Sequence, residues 1–214
     1  MRRVGNLWPQ ILSFENLLGA AKDAARAKRG RPDVAWFLLN LEPEVLRLRR
    51  ELENGEYRPG AYRTFHVREP KIRLISAAPF ADRVVHHALT RVLEPIFERR
   101  FTPNSFACRK GMGTHRALTS AQQASCRFAY VLKCDVQRYF ASIDHTILRE
   151  LLARVVKCRR TLALAAHIID GSNPQEEAGF YFPGDDLFMP AQRRRRCCPW
   201  PPPRQELRLL TRQH

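Results

Sequence analysis

The order of apolar and polar positions divides the chain into a helical first quarter, a hairpin, and a longer stretch where helices and short strands alternate. Ser13 is placed to cap a helix whose apolar positions include Leu17, Leu18, Ala21, Ala24 and Ala25, and Gly30-Arg31-Pro32 closes it. Asp33 is placed to cap the next apolar stretch, Val34 to Leu41. A third helix begins near Pro43, keeps Val45, Leu48 and Leu52 on one side, and stops at Asn54-Gly55. The period then shortens. Tyr62, Thr64, Phe65 and Val67 read as a strand, Glu69-Pro70-Lys71 as a turn, and Ile72, Leu74 and Ile75 as the returning strand.

The strongest helical pattern follows, with Val84, Val85, Ala88, Leu89, Val92, Leu93, Ile96 and Phe97 at helical spacing and Pro95 expected to kink or break it. Residues 99–113 form a loop containing Gly and Arg, and a helix is expected near His115 to Ala124. Phe128 to Cys134 reads as a short buried strand running into Asp135. Asp144 is placed to cap a helix bearing Ile147, Leu148, Leu151, Leu152 and Val155, and another apolar helix spans roughly Thr161 to Asp170. Tyr181 to Asp186 reads as a turn between two short strands. After Gln192 the pattern fails: four arginines, two cysteines, Trp200 and three consecutive prolines carry neither period. The fold class expected is α+β.

Composition changes this picture in one respect. The hydrophobic fraction of 44% is ordinary and supplies a core, but 37 Lys+Arg stand against 21 Asp+Glu, a formal net charge of +16. Residues 191–214 carry +6 of that excess, so the body remains basic at +10. Such a surface favours a polyanion, nucleic acid before anionic lipid. The six cysteines form no C-x-x-C pair and no zinc-type spacing with histidine, which points to reduced thiols and a cytoplasmic location. Pro9 and Gln10 interrupt any signal-peptide core, and no apolar run is long enough to span a bilayer.

The candidate chemistry centres on Val131-Leu132-Lys133-Cys134-Asp135-Val136-Gln137-Arg138-Tyr139-Phe140. A strand delivering a carboxylate at its end can hold Mg²⁺ against a nucleotide, since a hard cation takes carboxylate, water and phosphate oxygens together. On the residues alone, Asp135 serves equally as a turn aspartate, Phe140 as core, and Lys71 and Arg73 as the solvated face of a hairpin.

From about Tyr57 to Pro190 the chain resembles bacterial reverse transcriptases, those of group II introns, retrons and especially diversity-generating retroelements. Three blocks in order carry the resemblance. The first is Tyr62-Arg63-Thr64-Phe65 through Pro70-Lys71-Ile72-Arg73-Leu74-Ile75-Ser76 to Pro79-Phe80-Ala81-Asp82-Arg83 and Ala88. The second is Leu93-Glu94-Pro95-Ile96-Phe97-Glu98 with Phe101 through Ser105-Phe106-Ala107-Cys108-Arg109. The third is the Asp135 segment.

The resemblance implies RNA-directed DNA polymerisation with two Mg²⁺ ions, an RNA template, a DNA primer and deoxynucleoside triphosphates as partners, and no membrane. It makes Asp135 the first catalytic, metal-binding aspartate, with the main-chain carbonyl of Val136 assisting. It places Phe140 beside the nucleotide sugar, Lys71 and Arg73 at the triphosphate, and Arg109 in a loop near the template. It also implies an organisation: a helical region over 1–56, fingers over 57–127, a partial palm over 128–192, and a basic tail over 193–214.

The chain departs from the family pattern after Pro190. The Gly-containing block ending in Ser-Gln or Ser-Pro is absent, as is Tyr-x-Asp-Asp; Asp185-Asp186 follows Pro183-Gly184 and does not match. The expectation is an incomplete, inactive fragment with an unpaired sheet edge, an uncovered apolar face and a disordered tail read out of frame. A non-catalytic module that binds RNA or DNA is the alternative.

Overall fold

In the computed structural model, residues 3–68, 73–135, 143–171 and 209–211 are described. They form an α+β arrangement of eight helices and two two-stranded antiparallel sheets. The chain divides into two units, one of Met1–Glu94 with His145–Phe182 and one of Pro95–Asp144 with Pro183–His214.

The first unit is helical. α1 (Trp8–Leu12) starts with Pro9 in its first turn, where a missing N–H costs nothing. The sequence pattern does not reveal this helix, because it is five residues long. α2 (Phe14–Ala24) is capped as expected, Ser13 Oγ accepting from the Asn16 amide at 3.2 Å. α3 (Pro32–Leu39) corrects the expectation for Asp33. Pro32 begins the helix, so Asp33 lies inside its first turn and accepts from Arg31 Nε at 3.3 Å. α4 (Leu41–Asn54) ends on Gly55 at φ +74°, a left-handed cap suited to glycine. α5 (Phe80–Glu98) runs unbroken through Pro95, at the division between the units. α7 (His145–Val155) and α8 (Arg159–Gly171) complete the unit.

Ile11, Leu17, Val34, Val45, Leu48, Val84, Val85 and Val156 are all under 2% exposed, which places the core among α1–α5 and the segment following α7. Phe37 of α3 meets Phe80 of α5 edge-on, ring centres 5.0 Å apart. A polar clasp joins α2 to α5: Asn16 Nδ2 donates to the carbonyls of Ile11 at 3.2 Å and Ala88 at 3.0 Å, and Arg91 Nε donates back to Asn16 Oδ1 at 3.2 Å. Arg91 also pairs with Asp23 and lies over Gly19, where a Cβ would meet its guanidinium at 2.8 Å.

β1 (Arg63–Val67) and β2 (Arg73–Ala77) pair antiparallel, Arg63 opposite Ala77 and Val67 opposite Arg73. This is the expected hairpin; its turn lies outside the described residues. Its base is tied to α5, because Asp82, 4% exposed, accepts from Tyr57 Oη and from the Gly60 amide, both at 2.8 Å. Burial first, and then Asp82 itself, push the Tyr57 hydroxyl pKa well above its ordinary value.

Two histidines make the unit's stability sensitive to pH. Burial lowers the pKa of both His86 and His87. Arg83 and His87 reinforce the shift at His86 against Asp82; Arg83, Lys28 and Arg91 reinforce it at His87 against Asp23. Each folded-state pKa therefore lies below the ordinary 6.5. The unfolded chain takes up these protons first as pH falls through that value, so the contribution is present above it and lost below it. Urea midpoints are expected to fall between neutral pH and about pH 5, and to fall less in His86→Gln. A midpoint unchanged over that range contradicts the assignment.

The second unit holds α6 (Thr114–Ser125) and β3 (Tyr130–Leu132), which pairs antiparallel with β4 (Leu209–Thr211). A strand at 209–211 differs from the irregular tail expected; 193–208 and 212–214 lie outside the described residues. The expected turn at 181–186 also lies outside them. β3 corrects a second expectation. It is exposed along its length, Tyr130 at 72%, where a buried strand was anticipated. The physical reason is the lack of cover: β4 is its one partner among the described residues, and α6 buries none of its side chains.

Candidate functional site

The described part of the site is built on β3 and on the loop between α5 and α6. Val131 and Leu132 give β3 its extended backbone, and Lys133-Cys134-Asp135 continue from it without regular structure. Asp135 is exposed at that end. It supplies one carboxylate, and among the described residues no group of three or more His, Cys, Asp or Glu side chains could hold a metal ion. A hard divalent cation takes about six oxygen ligands, so the described residues alone do not make a Mg²⁺ site.

The loop before α6 is organised by Arg109. Its guanidinium, 10% exposed, donates from Nε to Glu98 Oε1 at 2.8 Å and from Nη1 to the carbonyls of Thr102 at 2.9 Å and Ser105 at 2.8 Å. It also lies 5.4 Å from the centre of the Phe101 ring. The geometry thus gives Arg109 the task of shaping the loop from within. Arg116 Nη1 adds a bond to the Gly111 carbonyl at 3.0 Å. Cys108, Gly111 and Gly113 all take positive φ, at 56°, 73° and 111°, which turns the backbone sharply back into α6.

Along its sequence the second unit exposes cations interleaved with aromatic residues. Arg99, Lys110, Arg127 and Lys133 are exposed, as are Phe101, Phe128 and Tyr130. Cations beside open aromatic faces suit single-stranded nucleic acid, whose phosphates pair with the charges while its bases stack. In the sequence Phe101 stands in the second block and Lys133 in the third, while Arg127-Phe128 beside a strand is a further signal of this kind. The hairpin of the first unit carries a similar set, with Arg63, Phe65, His66 and Arg68 all exposed.

The remaining expected site residues are distributed as follows. Lys71, Val136 and Phe140 lie outside the described residues. Arg73 begins β2 in the first unit, paired with Val67; Asp135 and Arg109 belong to the second. Asp144, directly before α7, is buried at 5%.

No protein-family model matches the chain. Curated relatives do. Nuclear intron maturase 1, mitochondrial, of Arabidopsis thaliana is 34% identical over 85 residues, 40% of this chain and 12% of that protein. Protein YkfC of Escherichia coli (strain K12) is 28% identical over 131 residues, 58% of this chain and 34% of that protein. Group II intron-encoded protein LtrA of Lactococcus lactis subsp. cremoris is 24% identical over 119 residues, 54% of this chain and 20% of that protein. The matched regions therefore make up between 12% and 34% of the length of these relatives. Within that reach, the relatives of this chain include intron maturases and a group II intron-encoded protein, the intron branch of the resemblance seen in its blocks.

Proposed function

We propose that this chain provides the fingers and first palm segment of an RNA-directed DNA polymerase of the group II intron kind, and that acting alone it binds RNA without making DNA. The observation that carries the reading is the relation to group II intron-encoded proteins and intron maturases, joined to an exposed aspartate, Asp135, three residues beyond the end of β3. In this reading Asp135 and the Val136 carbonyl are the first metal ligands, while Lys71, Arg73 and Phe140 meet the incoming nucleotide. Arg109 acts on the template through the loop it holds. The two Mg²⁺ ions, when bound, stabilise charge on the transferring phosphoryl group, and this chain's part is to position one carboxylate for them. The charge of +16 and the aromatic-cationic surfaces support RNA as the partner.

The absence of Tyr-x-Asp-Asp from the 214 residues favours binding over synthesis for this polypeptide. With a primed RNA template, Mg²⁺ and all four deoxynucleoside triphosphates, the purified chain is expected to add no nucleotide above the blank, and Asp135→Ala is expected to behave identically. Template-dependent extension that disappears in Asp135→Ala would show that the chain is a working polymerase and overturn this part of the reading.

A further inference from the structure

Where α7 gives way to α8, Arg154-Val155-Val156-Lys157-Cys158-Arg159-Arg160 places four cations in seven residues. Val155 and Val156 are buried, at 9% and 1% exposed, while all four cations are exposed. A fifth comes from the start of the chain. Val4 forms a parallel bridge with Val156, its amide donating to the Val155 carbonyl at 2.8 Å and its carbonyl accepting from the Lys157 amide at 2.7 Å. The bridge lays exposed Arg3 against the end of α7, where its Nη1 donates to the Ala153 carbonyl at 3.4 Å. Leu7, 3% exposed, fastens the same segment to the core. The five charges are carried on backbone held by hydrogen bonds and burial, so the main chain has little left to order on binding.

These charges are also unanswered. Among the described residues no acidic side chain pairs with Arg3, Arg154, Lys157, Arg159 or Arg160. Elsewhere in the unit cations have partners: Arg47 holds Glu44 and Glu51, Arg91 holds Asp23, and Arg149 holds Asp170. The turn before α3 has as many cations, but its Arg26 and Arg31 are paired with Asp23 and Asp33. Arg160 borders a groove that Glu15 and Glu53 also line, and Glu53 there is taken by Arg49 at 3.1 Å. Unpaired cations gathered at one junction repel one another, and an array of phosphates relieves that repulsion while shedding its own counterions. The kind of array follows from what the junction lacks. The exposed aromatic residues among those described are Trp36, Phe65, Phe101, Phe128 and Tyr130, and none falls in residues 3–12 or 145–171. With no open ring to stack a base, the junction suits phosphates whose bases are already paired with one another.

We propose that the junction of α7, α8 and the N-terminal segment is a second nucleic-acid contact, one that grips the phosphate backbone of base-paired RNA. It differs in chemistry from the aromatic-cationic surfaces, which suit single strands. Its contacts go to phosphates, so it reads the shape of the double helix and not its sequence. The inference rests on the reading of RNA as the partner, to which it adds the form of the RNA and the residues that meet it.

The experiment measures fluorescence anisotropy of the full chain with two labelled probes, an RNA duplex of about 16 base pairs and an oligouridine. Arg159→Gln with Arg160→Gln removes two phosphate contacts, each contributing roughly −0.9 to the slope of log K against log salt for a duplex. The slope with duplex should flatten by about two units, and duplex affinity at about 0.1 M salt should fall roughly sixtyfold. Oligouridine affinity should fall by no more than about threefold, because stacked bases and other cations hold it. Both side chains are exposed and unpaired among the described residues, so the urea midpoint should not move. A second pair, Arg3→Gln with Lys157→Gln, draws on the other two segments of the junction and should give the same loss. Unchanged duplex affinity and slope in both pairs overturn the proposal, as does an equal loss for the two probes, which marks a general effect of net charge. If oligouridine binds and the duplex does not, RNA stands as the partner and this junction is excluded; if neither probe binds, the reading of RNA as partner fails with it. Phosphatidylserine vesicles that sediment the unsubstituted chain but neither substituted pair, with duplex binding intact in all three, overturn RNA in favour of a lipid surface at this junction.

Discussion

Asp82→Ala is expected to destabilise the first unit by about 3 kcal/mol, a large share of the stability of an ordinary domain. The carboxylate is 4% exposed and accepts two bonds of 2.8 Å, from Tyr57 Oη and the Gly60 amide. Alanine removes both acceptors and leaves a hydroxyl and an amide to be desolvated without a partner, which costs more than the loss of the bonds alone. Tyr57→Phe removes one donor and leaves the carboxylate its other partner, so its cost should be nearer 1 kcal/mol. The double variant should cost less than the sum, because both substitutions break the same bond. Gly60→Ala tests the same joint by shape, since a Cβ there would come within 3.0 Å of Pro79 Cγ and 3.5 Å of Asp82 Oδ2. Urea denaturation of the four variants beside the unsubstituted chain decides. If Asp82→Ala unfolds at the same midpoint as the unsubstituted chain, the joint does not hold the base of the hairpin.

The same residue shows what the sequence conveys and what it withholds. Asp82 sits in a block that carries family resemblance, but nothing in its neighbours tells a solvated aspartate from one buried against Tyr57 and Gly60, which lie 25 and 22 positions away. Patterns confined to one element were legible: the Ser13 cap, the stop at Gly55, the hairpin strands and the long α5 all stand where periodicity and cap chemistry place them. Features that depend on cover were not. β3 has the apolar composition of a buried strand, and composition does not reveal that its faces lie open. Arg109 reads as a cation in a loop near a template, and its bonds to Glu98 at the end of α5 and to the Thr102 and Ser105 carbonyls of its loop were not legible. Pro95 reads as a kink or a break, and α5 continues through it without a break. The position of Asp135 after a strand was legible; its role, and its grouping with Lys71, Arg73 and Phe140, rest on the resemblance.

RNA binding by the full chain is expected to weaken by roughly three-hundredfold as monovalent salt rises from about 50 to about 200 mM. The cations Arg63, Arg68, Arg99, Lys110, Arg127 and Lys133 are all exposed, and the chain carries +16. If about six phosphates of a single strand are neutralised, each contributes roughly −0.7 to the slope of log K against log salt, giving a slope near −4. Stacking on exposed Phe101, Phe128 and Tyr130 adds a part that salt does not screen, so binding should persist weakly at the upper end. Fluorescence anisotropy with a labelled oligouridine measures the slope. Reversing two charges in Arg127→Glu with Lys133→Glu should flatten the slope by about one to two units and weaken binding at every salt concentration. Phe128→Ala should weaken binding while leaving the slope alone, because a lost stack releases no counterions. A salt-independent affinity, or the absence of binding at about 50 mM, removes nucleic acid as the partner of this basic surface. In that case sedimentation with anionic lipid vesicles becomes the measurement to make, since a lipid headgroup layer is the other polyanion that such a charge attracts.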